Sequence, residues 1–548
     1  MRSLVSSIAL LAAAPALAQG TTASGQVSPA RMTAIVKELT SSPYQGRAPG
    51  TPGEDRTVGY LAREFRALGL APVGEDYLQP VPLVRTRLPA GVQATVTLPG
   101  GPVSLVQGQG IYLNTVRAAD RIAIANAPMV FVGYGVTAPE RGWDDFKGID
   151  LKGKVAVFLV NDPDFEAAAG EPVAGQFGGR RMTYYGRWTY KFEEASRRGA
   201  IAALIVHDTP GAGYGWETVI APGGENYDIV RDEYRIALQG WIEGAAAADL
   251  FKRAGLDLAS LRVAARRADF RPMPMGGATL SVETPVQVEH VTSHNVIAQI
   301  KGRGHPEEAI VYGAHWDAYG IGAPDKQGRT MRPGAADDGT GVAGVLELAR
   351  LFKAAPAPDR SVVFALWTGE ERGLLGSEYY AAHPLFPISK TVATLTMDVL
   401  QTAGRAKDVV LVGNGQSDLE DMLATAAAKQ GRRITPEALP ERGLFYRADH
   451  FSLVRRGVPA LLLMGMSGGH DLVKGGRRAG DRWLAAYMKC YHQTCDLVTD
   501  TWDLSGAAQD VQLFYDLGAV LANSRTWPDW REGSEFKAMR AKTAVARQ

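Results

Sequence analysis

The chain has 548 residues, which at roughly 150 residues per domain is three or four domains' worth of material. Hydrophobic residues make up 46% and charged residues 21%, a balance that excludes a disordered, collagenous or coiled-coil protein. With 59 Lys+Arg against 58 Asp+Glu the formal charge is +1, so no overall field draws the chain to nucleic acid or anionic lipid, and a small neutral or mixed-charge substrate fits better.

Met1-Arg2-Ser3, an apolar run over 8–18 and the small-residue ending Ala16-Leu17-Ala18 follow the plan of a secretory signal, so 1–18 is expected to be removed on export. The run is about half of what spans a bilayer, and no later stretch approaches that length; the product is expected to be secreted or periplasmic without membrane insertion. The stretch 27–70 predicts two helices around a Gly/Pro-rich connection at 42–53, and 82–125 reads as irregular strands. These form the expected N-terminal part of a catalytic domain, 27–125. Strands at 129–135, 154–160 and 202–206 with a helix at 190–198 predict a β-rich insert over 126–275.

From His294 onward strands alternate with helices. Strands are predicted at 295–300, 309–313, 361–367, 392–397, 409–412 and 459–464, with helices at 342–352, 419–430 and 505–523, the last N-capped by Ser505. The expected fold class is α/β, a mainly parallel central sheet flanked by helices, with the main catalytic domain over 276–530 and a loose tail over 531–548.

Ligands of such sheets bind at the carboxyl ends of the strands. There the sequence places His315 and Asp317, the pair Glu370-Glu371, and Asp398, with Asp337-Asp338 in the loop before helix 342–352. Carboxylates this crowded raise one another's pKa unless cations neutralise them, so divalent metal is the simplest answer, and mixed His and carboxylate ligands suit zinc. One aspartate, Asp337 or Asp338, is positioned to bridge two ions. Neighbouring glutamates point apart, which makes one of Glu370 and Glu371 a ligand and the other a general base. Asp317 suits an outer partner of the His315 imidazole. Of nine histidines, His492 stands out as the second histidine because Cys490 and Cys495 frame it, and two cysteines so close in an exported chain predict a disulfide.

These residues resemble the secreted co-catalytic di-zinc metallopeptidases, the family of bacterial aminopeptidases and glutamate carboxypeptidase. The motifs are His315-Trp316-Asp317, the Gly334–Gly341 loop, Trp367-Thr368-Gly369-Glu370-Glu371, Asp398 and Tyr491-His492. Gly46 to Thr51 is also similar to the family's first segment, and the middle region resembles an inserted protease-associated domain. The resemblance implies two zinc ions, His315 and Asp398 on one, Glu371 and His492 on the other, and Asp337 bridging. It further implies Glu370 as general base, Asp317 orienting His315, Asp338 shaping the loop, and Tyr491 as oxyanion donor with Tyr446 its rival. Tyr446, Arg447 and His450 are expected in the substrate pocket. Thr396 stands where many relatives have an Asn two residues before the aspartate.

The implied activity is an exported aminopeptidase acting on peptides, with a carboxypeptidase or dipeptidase of the same family as the nearest alternative. Two other readings compete. Gly465-Met466-Ser467-Gly468-Gly469 fits a serine hydrolase using Ser467 with Asp481 and His492, although the following glycines are a poor helix start. A non-catalytic binding protein on a peptidase scaffold would be expected to have lost ligands, and here each position is filled.

Overall fold

A computed structural model describes residues 25–547, so the expected signal segment 1–18 lies outside the described residues. Two eight-stranded sheets organise the chain. In the first, the spatial order is Glu225–Ile229, Leu78–Arg87, Gln287–Ile300, Arg360–Trp367, His305–His315, Thr391–Asp398 and Ala460–Met464, with the short Ala71–Pro72 pairing onto Gln287–Ile300. The last four run parallel, and the first four meet their neighbours antiparallel. The parallel half is the one that alternates with helices, and every residue of Arg360–Trp367, Thr391–Asp398 and Ala460–Met464 is buried. That is the expectation for strands covered on both faces.

Helices Pro29–Leu39, Thr340–Ala354 and Ser505–Ala522 cover one face through Val36, Val345, Phe514 and Leu517. Pro29–Leu39 begins where Pro29 follows Ser28, whose hydroxyl accepts from the Arg31 amide at 3.2 Å. The other face packs Trp367, Tyr380 and Val458.

Four expectations change. The stretch 409–412 is a strand, Asp408–Leu411, but it pairs with Arg433–Pro436 outside the main sheet. Ser505 is the first helical residue and not the cap; its amide is held by Asp503 Oδ1 at 2.9 Å. The expected insert limits of 126 and 275 fall inside strands Arg121–Phe131 and Met273–Pro285, which pair with each other and with Gln93–Leu98, so the second sheet begins near 93 and ends near 285. Conversely Glu225–Ile229, from within that span, joins the first sheet beside Leu78–Arg87. The segment 531–548 is not loose over its described part: Phe536 is buried, and the buried Arg540 guanidinium donates to the Thr391 and Val392 carbonyls at 3.1 Å. Among the described residues no helix is long and apolar enough to cross a membrane.

Candidate functional site

Three strand ends and one loop meet at a point. His305–His315 finishes on His315, Thr391–Asp398 finishes on Asp398, and Arg360–Trp367 is followed by Gly369, whose φ of 63° turns the chain so that Glu370 and Glu371 face the rim. The Asp337-Asp338 loop enters through Gly334, at φ 57°, where a Cβ would lie 2.2 Å from the Asp337 carbonyl oxygen.

His315 Nε2 lies 3.1 Å from Asp337 Oδ1, 3.8 Å from Asp398 Oδ1 and 3.9 Å from Glu370 Oε2. His492 Nε2 lies 3.2 Å from Asp337 Oδ2 and 3.1 Å from Glu371 Oε2. Two triads result, His315 with Asp337 and Asp398, and Asp337 with Glu371 and His492, the donor atoms of each within 4.8 Å of one another. Asp337 belongs to both and turns a different oxygen to each. A third such group, His305 with Glu307 and Glu308, differs in that Glu308 is already taken by Arg360 and Arg525.

The electrostatics call for cations. Burial, then repulsion from Asp398, Glu371 and Asp449, holds the Glu370 carboxyl well above the usual carboxylate range, and burial followed by Asp337 raises Glu371. Burial, followed among the raising influences by Asp337, does the same to Asp398. Burial alone would depress both imidazoles, but the carboxylates outweigh it. Glu370, Asp317, Asp337 and Asp398 raise His315 far above its ordinary value, and Glu371 and Asp337 push His492 up to about 9. Protons on the imidazoles thus balance acids that metal would balance better. Asp398 Oδ1 and His492 Nε2 are buried without a hydrogen bond, which fits a donor set made for divalent ions and zinc in particular.

Supporting residues fix these donors. His315 Nδ1 donates to the Asp317 carbonyl at 3.1 Å, which turns Nε2 toward Asp337; the Asp317 carboxylate is farther, at 3.5 Å, and accepts from the Glu370 amide at 3.1 Å. Asp317 therefore orients His315 through its main chain and Glu370 through its side chain. Asp338 ties the loop to its surroundings, accepting from the amides of His315, Gly341 and Val399 at 3.3, 2.8 and 3.1 Å.

Sequence reasoning missed the roles of three positions. Asp496 accepts from the Ala336 and Asp337 amides at 2.9 and 3.1 Å, aiming the shared aspartate. Arg47, fully buried, donates to the carbonyls of Trp316, Leu39, Pro333 and Gly334 and clamps the loop from behind. Asp449 is a buried acid close enough to His315, Asp317 and Asp398 to be affected by them, with its carboxyl pushed up to about 7 by burial above all. The local signals were the place of Asp496 beside Cys495, of Arg47 inside the Gly46–Thr51 segment and of Asp449 beside His450.

The remaining candidates divide. Cys490 and Cys495 form the expected disulfide, closing the loop that carries His492. Burial first, then Asp337, Glu371 and Glu370, raises the Tyr491 phenol, which keeps it a proton donor, and Arg447 lies beside it. Tyr446 does not compete: its phenol turns to Glu535, and its ring packs 5.2 Å from that of Phe451. His450 is no pocket residue either, being buried 4.9 Å from the Phe445 ring with neither nitrogen hydrogen-bonded. Ser467 is fully buried, donates to the Met464 carbonyl at 2.7 Å and leads into no helix, while His492 faces Asp337 and Glu371; the serine-hydrolase arrangement is absent.

The sequence profile of Peptidase family M28 matches residues 295–515, a span holding both triads. The chain is 27% identical over 237 residues to "Leucine aminopeptidase 2" of Arthroderma otae, covering 41% of this chain and 44% of that protein. It is 29% identical over 218 residues to "Leupeptin-inactivating enzyme 1" of Streptomyces exfoliatus, covering 39% and 45%. It thus spans less than half the length of these curated relatives. A solved "Aminopeptidase from Aneurinibacillus sp. strain AM-1" is 21% identical and covers 91% of this chain and 95% of its own, with a TM-score of 0.49.

Proposed function

We propose that this chain, which belongs through residues 295–515 to Peptidase family M28, is an exported zinc-dependent exopeptidase that removes N-terminal residues from peptides. The observation that carries the reading is Asp337, one oxygen toward His315 and the other toward His492. His315 and Asp398 would hold one ion and Glu371 and His492 the other, with Asp337 shared. Such a pair of ions polarises a carbonyl and makes water nucleophilic at neutral pH.

The chain's own residues do the rest. Glu370, free of either triad, takes the proton of the attacking water and delivers it to the leaving amine. Its elevated affinity for protons suits the second half of that task. The Tyr491 phenol donates toward the oxyanion. The aminopeptidase direction is favoured by relatives named for leucine aminopeptidase activity.

The test is Glu370→Gln in the zinc-loaded protein. Turnover of aminoacyl anilides should fall by roughly 10²- to 10⁴-fold, the usual worth of a general base, with metal content by elemental analysis unchanged. Retained turnover would refute the role, and equal hydrolysis of N-blocked peptides would refute the aminopeptidase direction.

A further inference from the structure

Three arginines stand beside the proposed reaction centre, and the buried one, Arg187, has no carboxylate among its neighbours. Arg187 immediately precedes the helix Trp188–Arg197, on the second-sheet side, while Arg442 and Arg447 flank the turn Leu444–Tyr446. The two stretches are locked together. The Met182 amide donates to the Pro440 carbonyl at 3.2 Å, Arg180 pairs with Glu441 at 2.8 Å, and the Tyr184 ring sits 6.4 Å from Tyr446 and 5.1 Å from Phe451. A Cβ on Gly213 would meet Arg442 Cγ at 3.8 Å, which brings the neighbouring Tyr214 to the same place.

Arg187 is 7% exposed, and its Nε is buried without a partner. Among the described residues none of the three side chains makes an ion pair or a hydrogen bond. Arg187 has Arg447 and three phenols, Tyr214, Tyr184 and Tyr491, around it; Arg447 has Tyr491, Tyr214, Glu370 and Asp398, and Arg442 has Arg447, Glu441 and Tyr491. Burial and the nearby Arg447 push the Arg187 guanidinium down to about 10, so it stays charged at neutral pH.

Other buried arginines of this chain have a counter-ion or carbonyl partners, although Arg360 Nη2 and Arg432 Nε also lack a hydrogen bond. Arg47 has four carbonyls, Arg360 meets Glu308 at 2.6 Å and Arg432 meets Asp510 at 2.6 Å. A guanidinium does not escape burial by losing its proton, and like charges side by side without a counter-ion are costly. The acids near Arg447 and Arg442 are already engaged: Glu370 and Asp398 have the tasks assigned above, and Glu441 pairs with Arg180. A carboxylate supplied with the substrate would complete the set, since the planar fork of arginine matches it in shape and charge.

We propose that Arg187 and Arg447, with Arg442 at the rim, form a subsite for a carboxylate of the peptide substrate, so that peptides bearing that anion next to the scissile bond are preferred. The inference rests on the exopeptidase reading and gives it a substrate class: dipeptides and other short peptides with a free C-terminus, or peptides with an acidic residue at that place. It also gives the second sheet a role, because Arg187 is the part of the wall that region contributes.

The zinc-loaded full-length protein is assayed on two matched pairs. Leu-Gly against Leu-Gly-amide tests a terminal carboxylate, and Leu-Glu-amide against Leu-Gln-amide tests a side-chain one. The carboxylate member of at least one pair should show kcat/KM at least about tenfold higher, the worth of one charge-assisted hydrogen bond. Arg187→Gln should bring that ratio toward one, mainly through KM, and Arg187→Lys should restore part of it. Arg447→Gln supplies an independent loss of preference should Arg187→Gln fail to fold, as judged by its thermal unfolding midpoint. Equal rates within both pairs, or a preference that survives in a folded Arg187→Gln, would overturn the subsite and leave the exopeptidase standing. No hydrolysis of any of the four would overturn both.

Discussion

The two sheets of this molecule both carry a buried parallel run with charged residues at its carboxyl end, and they dispose of those charges differently. In the second sheet, Val155–Leu159 leads to Asn161 and Asp162, and the buried acid and amine there, Asp162 and Lys191, are matched. Asp162 accepts from the Thr183 amide and hydroxyl at 2.6 and 2.7 Å, and Lys191 Nζ donates to the Tyr134 and Asn161 carbonyls at 2.5 and 3.2 Å. In the first sheet, five acids and two imidazoles meet with Asp398 Oδ1, Asp317 Oδ2 and His492 Nε2 left over. Buried charge alone therefore does not mark a site; buried charge whose partner is missing does. The arginine wall shows the same deficit with the opposite sign.

Two substitutions would break the comparison. Asp337→Asn removes the one side chain common to both triads, so zinc content should fall toward zero and turnover by more than about 10²-fold, the upper range for disturbing outer-shell partners alone. Survival of one tightly held ion would show that the triads are independent. Lys191→Met in the second sheet leaves Asp162 and Asp145 buried without their cation and should cost about 3–5 kcal/mol in urea unfolding, with metal content of the folded fraction unchanged. Loss of metal without loss of stability would reverse the assignment of the two regions.

How far the sequence led follows the same division. His315, Asp337, Glu371, Asp398 and His492 were legible because strand ends in a parallel sheet gather whatever residues they carry, and each sits one to five residues from an apolar run or inside a cysteine frame. The roles of Arg47 and Asp496 were illegible because their work is done on backbone groups 269 and 160 residues away, and no local pattern marks a side chain that binds distant carbonyls or amides. The second sheet's limits were misplaced for a related reason. Gln93–Leu98 and Met273–Pro285 are joined only by long-range pairing, and alternation within a strand says nothing of its partner. Tyr446 and His450 were assigned to the pocket by neighbourhood in the motif, whereas packing against Phe451 and Phe445 decides where they sit.

His450 sharpens the comparison from the other side, since it lacks partners and yet is no ligand. Burial pushes its imidazole down to about 3, so it is neutral when folded, and an unfolded histidine titrates near 6.5. Between those values the unfolded chain binds the extra proton, so this residue's contribution is lost as pH falls, about 2 kcal/mol from neutrality to pH 5. The second-sheet acids go the opposite way. Burial above all raises Asp145 to about 7 and Asp162 to about 6, so the folded state holds their protons where the unfolded chain has released them, and stability from these two is gained on acidification. His450→Leu should therefore flatten the acid-side loss measured by urea unfolding at pH 7 and pH 5, relative to the unsubstituted protein. An unchanged difference between the two pH values would mean that His450 is solvated or hydrogen-bonded, and that a missing partner in this half of the molecule signals an exchangeable ligand there as well.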